Sequence, residues 1–214
     1  MAPSEDPVAS PICRRARRIP TVGAADTARI SRARGRRAAG AFSRIDPVAR
    51  ARPGAPRLRG DVRPARGFVK ALPFQLTNAQ RLAAWRILQD IARPQPMNRL
   101  LEGDVGSGKT VVAAMTMHHV ARAGFQSVLL APTEVLARQH ADVIQSLLGP
   151  FQIDVGLLVG STPAAARKPM LASLAAGALP VLIGTHALIE EGVQFKNLAL
   201  TVVDEQHRFG VGQR

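Results

Sequence analysis

The sequence predicts an α/β domain over its second two-thirds, a parallel sheet with helices on both faces, preceded by an arginine-rich segment without regular structure. Three observations carry this. From Leu72 onward, short continuous apolar runs alternate with helix-periodic stretches. Such strands belong to parallel sheets covered on both sides. A glycine-rich loop, residues 103–110, joins one apolar run to a helical pattern, and another run ends on the paired carboxylates Asp204 and Glu205.

Residues 76–92 space Leu76, Ala79, Leu82, Leu88 and Ile91 along one helix face, and Pro94 and Pro96 close that helix. Arg99, Leu100 and Leu101 form a short strand running into glycines. Residues 109–123 are helical and close at Gly124, and residues 127–131 read as a buried strand. In 135–148, Leu136, Val143, Ile144 and Leu147 share a helix face that stops at Gly149 and Pro150. Strands are expected at 155–159, 179–183 and 198–203, and a helix at 163–176.

Charge divides the chain in two. Residues 1–70 hold seventeen basic and five acidic residues, a net +12, whereas residues 71–214 hold twelve and ten, a net +2. The basic balance that marks nucleic-acid binders therefore belongs to the first segment alone. Residues 1–67 lack sustained apolar periodicity, so burial cannot offset the entropy of ordering them, and they are expected to be disordered. Three readings fit this segment: a solvated basic arm that touches nucleic acid, an arginine-rich transit segment, or out-of-frame translation of GC-rich DNA. The lone Cys13 supports neither an internal disulfide nor a metal site. No apolar run reaches the roughly 18–20 residues that span a bilayer, and no secretory signal is evident, so a soluble, reducing compartment is expected.

Gly103, Asp104, Val105, Gly106, Ser107, Gly108, Lys109 and Thr110 fit the pattern G-x-x-x-x-G-K-[ST] between a strand and a helix. Glycines let successive backbone N–H groups turn inward onto phosphate oxygens. Lys109 is placed to reach the terminal phosphates and the Thr110 hydroxyl to coordinate Mg²⁺. The apolar strand 198–203 delivers Asp204 and Glu205 at its C-terminal end, where parallel sheets bind ligands. Asp204 is expected to hold Mg²⁺ through water and Glu205 to polarise the attacking water. The segment is thus expected to bind ATP with Mg²⁺.

Asp204-Glu205-Gln206-His207, followed by Arg208-Phe209-Gly210-Val211, resembles the DExH box of superfamily 2 helicases and is most similar to the RecG family of bacterial DNA helicases. Residues 72–80, 131–140, 184–188 and 191–198 are similar to further segments of that family, in family order, and the likeness runs from Leu72 to Arg214. The transcription-repair coupling translocases are similar in several segments, but carry Glu and Gln where this chain has Gln206 and His207.

The resemblance implies a RecA-like motor domain in 68–214 and ATP-dependent unwinding and branch migration of forked or branched DNA, in a bacterial cytoplasm. It implies that Gln80 reads the adenine edge with Phe74 near the base. A helix-start polar residue and a core aromatic are the alternative readings of these two. It places Pro132, Thr133 and Thr185 along a single-stranded DNA backbone, although Thr133 and Thr185 also suit helix caps, and both roles can hold at once. His207 couples hydrolysis to movement, whereas His140 and His186 read as structural. The family continues with motif III and a second RecA-like domain, and it begins with an oligonucleotide-binding wedge. Neither is legible here, and the fragment by itself is expected to show little or no turnover. A truncated, non-catalytic product or a basic nucleic-acid binder is the alternative. In the family's sheet the strand after the DExH strand lies beside the phosphate-loop strand, so two inner edges are expected to be unpaired here and residues 71–214 alone to aggregate.

Overall fold

The computed structural model describes residues 28–31, 63–93, 97–104, 106–185, 188 and 192–205. Its strands are β1 (Ala28–Ser31), β2 (Asn98–Leu101), β3 (Gln126–Leu130), β4 (Val155–Leu158), β5 (Val181–Gly184) and β6 (Leu198–Val203). Its helices are α1 (Arg63–Ala71), α2 (Asn78–Ile91), α3 (Lys109–Arg122), α4 (Glu134–Leu148) and α5 (Ala164–Ala176). A 3₁₀ turn, Gly149–Phe151, follows α4 where glycine and proline were expected to end it.

The six strands form one sheet in the order β2-β1-β6-β3-β5-β4. The pairs β6–β3, β3–β5 and β5–β4 are parallel, whereas β1 is antiparallel to both its neighbours. Period-two alternation sends side chains to opposite faces. On β3 and β5, Leu129, Val181 and Ile183 join the core shared with α1–α4, while Val128, Leu130 and Leu182 join the one containing Leu174 of α5. Helices therefore lie on both faces, as expected. Helix α3 is buried from Val111 to Val120 because it packs on α1, α2, α4 and the sheet together.

Two described elements fall in the stretch read as unstructured. Strand β1 lies between β2 and β6, so the inner edges expected to be bare are paired. Helix α1 begins at Arg63 and buries Ala65 and Phe68. β1 is too short to display a period, and the nine-residue α1, although it spaces Ala65 and Phe68 on one face, is too short to stand alone, so both draw their stability from partners distant in sequence. The remainder of residues 1–62 lies outside the described residues.

Polar groups also fasten the layers. The buried Gln126 amide donates to the carbonyls of Leu174 (2.8 Å) and Leu179 (2.9 Å) and accepts from the Asn197 N–H (3.0 Å). Arg99 of β2 pairs with Asp90 near the end of α2, its Nε 2.8 Å from the carboxylate.

His118 is the counterexample to polar satisfaction. It packs between Phe68 and Phe151, with centroids 5.3 and 4.4 Å away, and neither ring nitrogen has a hydrogen-bond partner among the described residues. Burial first, then the positive charge of Arg122 and His119, lowers its pKa from 6.5 to about 4. Folding therefore disfavours the imidazolium. Its contribution is complete above pH 6.5 and is lost as pH falls from there through about 4. We expect a loss of about 3 kcal/mol across that window, read as a falling thermal midpoint. His118→Leu should flatten this part of the profile, and an unchanged profile would show that another group governs it.

Candidate nucleotide site

The expected site lies at the C-terminal edge of the parallel strands. Because β1 is antiparallel to both β2 and β6, those two strands run parallel to each other. Arg29 faces Leu100 on one side and Val203 on the other. At about 4.8 Å per strand, these two strand ends lie about 10 Å apart. The phosphate loop leaves the first and Asp204 and Glu205 leave the second. The chain reaches Thr133 and Thr185 from the same edge, after β3 and β5.

Within the loop, Gly106 and Gly108 adopt φ of 76° and 82°, the left-handed region that glycine enters without steric penalty. The Ser107 N–H donates to the Asp104 carbonyl (3.0 Å). Gly108 then precedes the first residue of α3, and no side chain caps that helix end. A helix N-terminus without a side-chain cap offers backbone donors and a partial positive charge to an anion. The Lys109 ammonium rests on the carbonyls of Gly103 (2.6 Å) and Asp104 (2.9 Å) and near Ser107 Oγ (3.4 Å). Thr110, half-buried, stands in the first turn of α3.

Gln80 locks this loop to α2. Its Oε1 accepts from the Thr77 N–H (2.9 Å), the Thr77 hydroxyl accepts from the Gln80 N–H (3.2 Å), and its Nε2 donates to the Ser107 carbonyl (2.7 Å). This is a capping box with one arm extended onto the phosphate loop. Gly108 is favoured by its φ of 82°, and a Cβ there would lie 2.3 Å from Gln80 Nε2, so Gln80 would have to turn away from the loop. Phe74, half-buried, packs against the larger of the two cores.

On the opposite wall Asp204 and Glu205 are 6% and 3% exposed. Asp204 Oδ2 lies 2.7 Å from His140 Nε2 of α4, and its N–H continues the ladder to the Leu130 carbonyl (2.9 Å). Glu205 takes φ 49°, a left-handed conformation uncommon for a residue with a Cβ. Such outliers cluster where surrounding structure holds a side chain for use. In the structure His140 meets one of the two carboxylates through its imidazole. Its four-residue spacing from Leu136, on the buried face of α4, was the only sequence signal.

The profile of the family described as DEAD/DEAH box helicase matches residues 77–214. The chain belongs to that family. Over 147 residues it is 52% identical to the ATP-dependent DNA helicase RecG of Bacillus subtilis (strain 168), covering 69% of this chain and 22% of that protein. The RecG of Synechocystis sp. is also 52% identical over 147 residues, with 69% and 18% covered. A solved structure of RecG bound to a three-way DNA junction aligns with a TM-score of 0.63 at 46% identity, covering 68% of this chain and 20% of that one. The chain thus spans about a fifth of the length of these relatives.

This DEAD/DEAH box helicase segment brings Gln80, the phosphate loop and the acidic pair to one edge of the sheet. Pro132, half-buried, and Thr133, exposed, lie at the start of α4, where Thr133 Oγ1 accepts from the Leu136 N–H (3.3 Å). The capping role is therefore present and leaves Thr133 at the surface. Thr185 is different. It is 1% exposed, and its hydroxyl has no hydrogen-bond partner among the described residues. His207, Val105 and His186 lie outside the described residues. Among the described residues no group of three or more His, Cys, Asp or Glu could hold a metal ion by itself, and no helix is long and apolar enough to cross a membrane.

Proposed function

We propose that this chain binds ATP with Mg²⁺ between the phosphate loop and the Asp204–Glu205 pair, as the nucleotide-binding part of a helicase that unwinds and branch-migrates forked DNA. The observation that carries this is the uncapped N-terminus of α3 behind two left-handed glycines, with Lys109 held over the loop. It is an anion cradle on the same sheet edge as two buried carboxylates.

In this reading Lys109 exchanges its loop carbonyls for the terminal phosphate oxygens, and the first N–H groups of α3 take the remaining phosphate charge. Thr110 supplies a hydroxyl ligand and Asp204 holds the metal's water. Magnesium, when bound, neutralises phosphate charge and orients the transferred group. Glu205 accepts the proton of the attacking water. Gln80, fixed by Thr77 and Ser107, stands beside the loop and reads the adenine edge, as the family resemblance implies. Pro132 and Thr133 line the exposed part of the same edge and suit single-stranded backbone. The junction-bound structure of RecG favours branched DNA as the substrate.

The test is equilibrium binding of a fluorescent ATP analogue with Mg²⁺ to the full chain. Lys109→Ala is expected to weaken binding by at least about a hundredfold, roughly the loss of a charged hydrogen-bonding partner. Equal affinity in parent and variant would refute the site. Turnover stimulated by forked DNA and lost in Lys109→Ala would extend the reading to a motor, whereas salt-sensitive DNA binding without turnover would favour a basic nucleic-acid binder.

A further inference from the structure

Asp204 is held twice by one unit, β3 with the helix α4 that follows it. Its backbone N–H donates to the carbonyl of Leu130, the last residue of β3 (2.9 Å). Its carboxylate meets Nε2 of His140 in α4 (2.7 Å), and among the described residues that carboxylate has no second hydrogen-bond partner. Both side chains belong to residues only 6% exposed. Pro132 and Thr133 lie between these two holds. Leu130 ends the strand before them, and His140 stands about two turns, or 10 Å, into the helix that Thr133 caps. The strand thus fixes the main chain of Asp204, and the helix fixes where its carboxylate points. The helix start is fastened on its outer side as well. Glu134 accepts from the Ser161 hydroxyl (2.6 Å) and the Ser161 N–H (3.1 Å), and Arg138 donates to Ser161 Oγ (2.9 Å).

We propose that His140 is a positioning residue through which single-stranded DNA on the Pro132–Thr133 turn steadies the Asp204 carboxylate and so tightens Mg²⁺-dependent nucleotide binding. A strand bound there clamps the turn between the two holds of Asp204. Helix α4 is packed through Ala137, His140, Ala141, Ile144, Leu147 and Leu148, so the clamp reaches His140 through a close-packed element instead of dissipating in a loop. A hydrogen bond weakens steeply once its donor leaves the line of the acceptor, so the orientation of α4 governs the aim of the carboxylate. A turn already ordered by DNA leaves Asp204 less freedom to lose when the metal's water arrives, and the coupling is therefore positive. A histidine that merely satisfied a buried carboxylate would affect stability with no dependence on DNA. The inference rests on the readings of Pro132 and Thr133 as a DNA contact and of Asp204 as the metal-side carboxylate.

The quantity to measure is the affinity of the full chain for the fluorescent ATP analogue with Mg²⁺, with and without a saturating oligothymidine strand. The strand is expected to tighten it at least about fivefold, and the analogue to tighten strand binding by the same factor, as linkage requires. In His140→Leu the factor should fall to about one, whatever that variant's own affinity for the analogue. His140→Gln, which keeps a side-chain donor, should retain most of it. A factor that survives intact in His140→Leu overturns the proposal, and so does a parent factor of about one. The parent also gives a test without mutation, should the leucine variant fail to fold. Its His140 imidazole nitrogen resonances should shift when the strand is added without nucleotide, and a silent imidazole overturns the proposal. If the parent binds no analogue while the imidazole responds to the strand, the ATP reading has failed and the link from the turn to Asp204 stands.

Discussion

Gly184→Ala is expected to destabilise the domain by at least about 3 kcal/mol, the scale of a severe packing clash. Gly184 ends β5 in register with Leu130 of β3 on one side and Leu158 of β4 on the other. A Cβ there would come within 1.9 Å of the Leu158 carbonyl oxygen and 3.0 Å of its carbonyl carbon. Those are backbone atoms of a paired strand, so relief requires breaking the β4–β5 ladder rather than turning a rotamer. Against a typical total stability of about 5–15 kcal/mol, a loss of this size is a large share. Gly124→Ala is the matched control. Its φ is +80° but nothing lies within 4 Å of the added carbon, so it should cost only about 1 kcal/mol. Denaturant midpoints for the two variants decide the matter, and equal small losses would mean that β4 can shift freely.

His140→Leu should cost about 2–3 kcal/mol, because it leaves a buried carboxylate without its strongest donor. Asp204 and His140 are both buried and meet at 2.7 Å, joining the end of β6 to the middle of α4. Adding Asp204→Asn to His140→Leu should recover part of the loss, since an uncharged amide is less costly to leave unpaired than a carboxylate. The double-mutant cycle measures the coupling between them. A single variant as stable as the parent would show that water replaces the imidazole at no cost. Because Asp204 is the proposed partner of the metal's water, the same variant should also weaken Mg²⁺-dependent nucleotide binding while sparing the Gln80–Ser107 contact.

Much of the frame was legible because the relevant signals are local. The expected strand at 198–203 has the bounds observed for β6, and the expected helix at 109–123 is one residue longer than α3. Gly103, Gly106, Gly108 and Lys109 carry the loop pattern in consecutive residues, so the loop between β2 and α3 could be read from residue order alone, whereas the Thr77–Gln80 capping box was not read. The site's connections were not legible in the same way. Nothing near Gln126 signals that its amide will close three backbone groups, two of them belonging to Leu174 and Leu179. Thr185 directly follows β5, and only packing shows it to be enclosed.

By itself the sequence determined the α/β class, the order of elements from Leu76 to Val203, the phosphate loop and the acidic pair. Each depends on side-chain period, glycine freedom or charge within a few consecutive residues. Tertiary structure alone decided that Ala28–Ser31 would lie between β2 and β6, that His140 would hold Asp204, and that α1 would cover α3. A four-residue strand gains almost nothing from its own propensity. Its ladder bonds come from strands about 70 and 170 residues away, and only the assembled sheet brings those partners together.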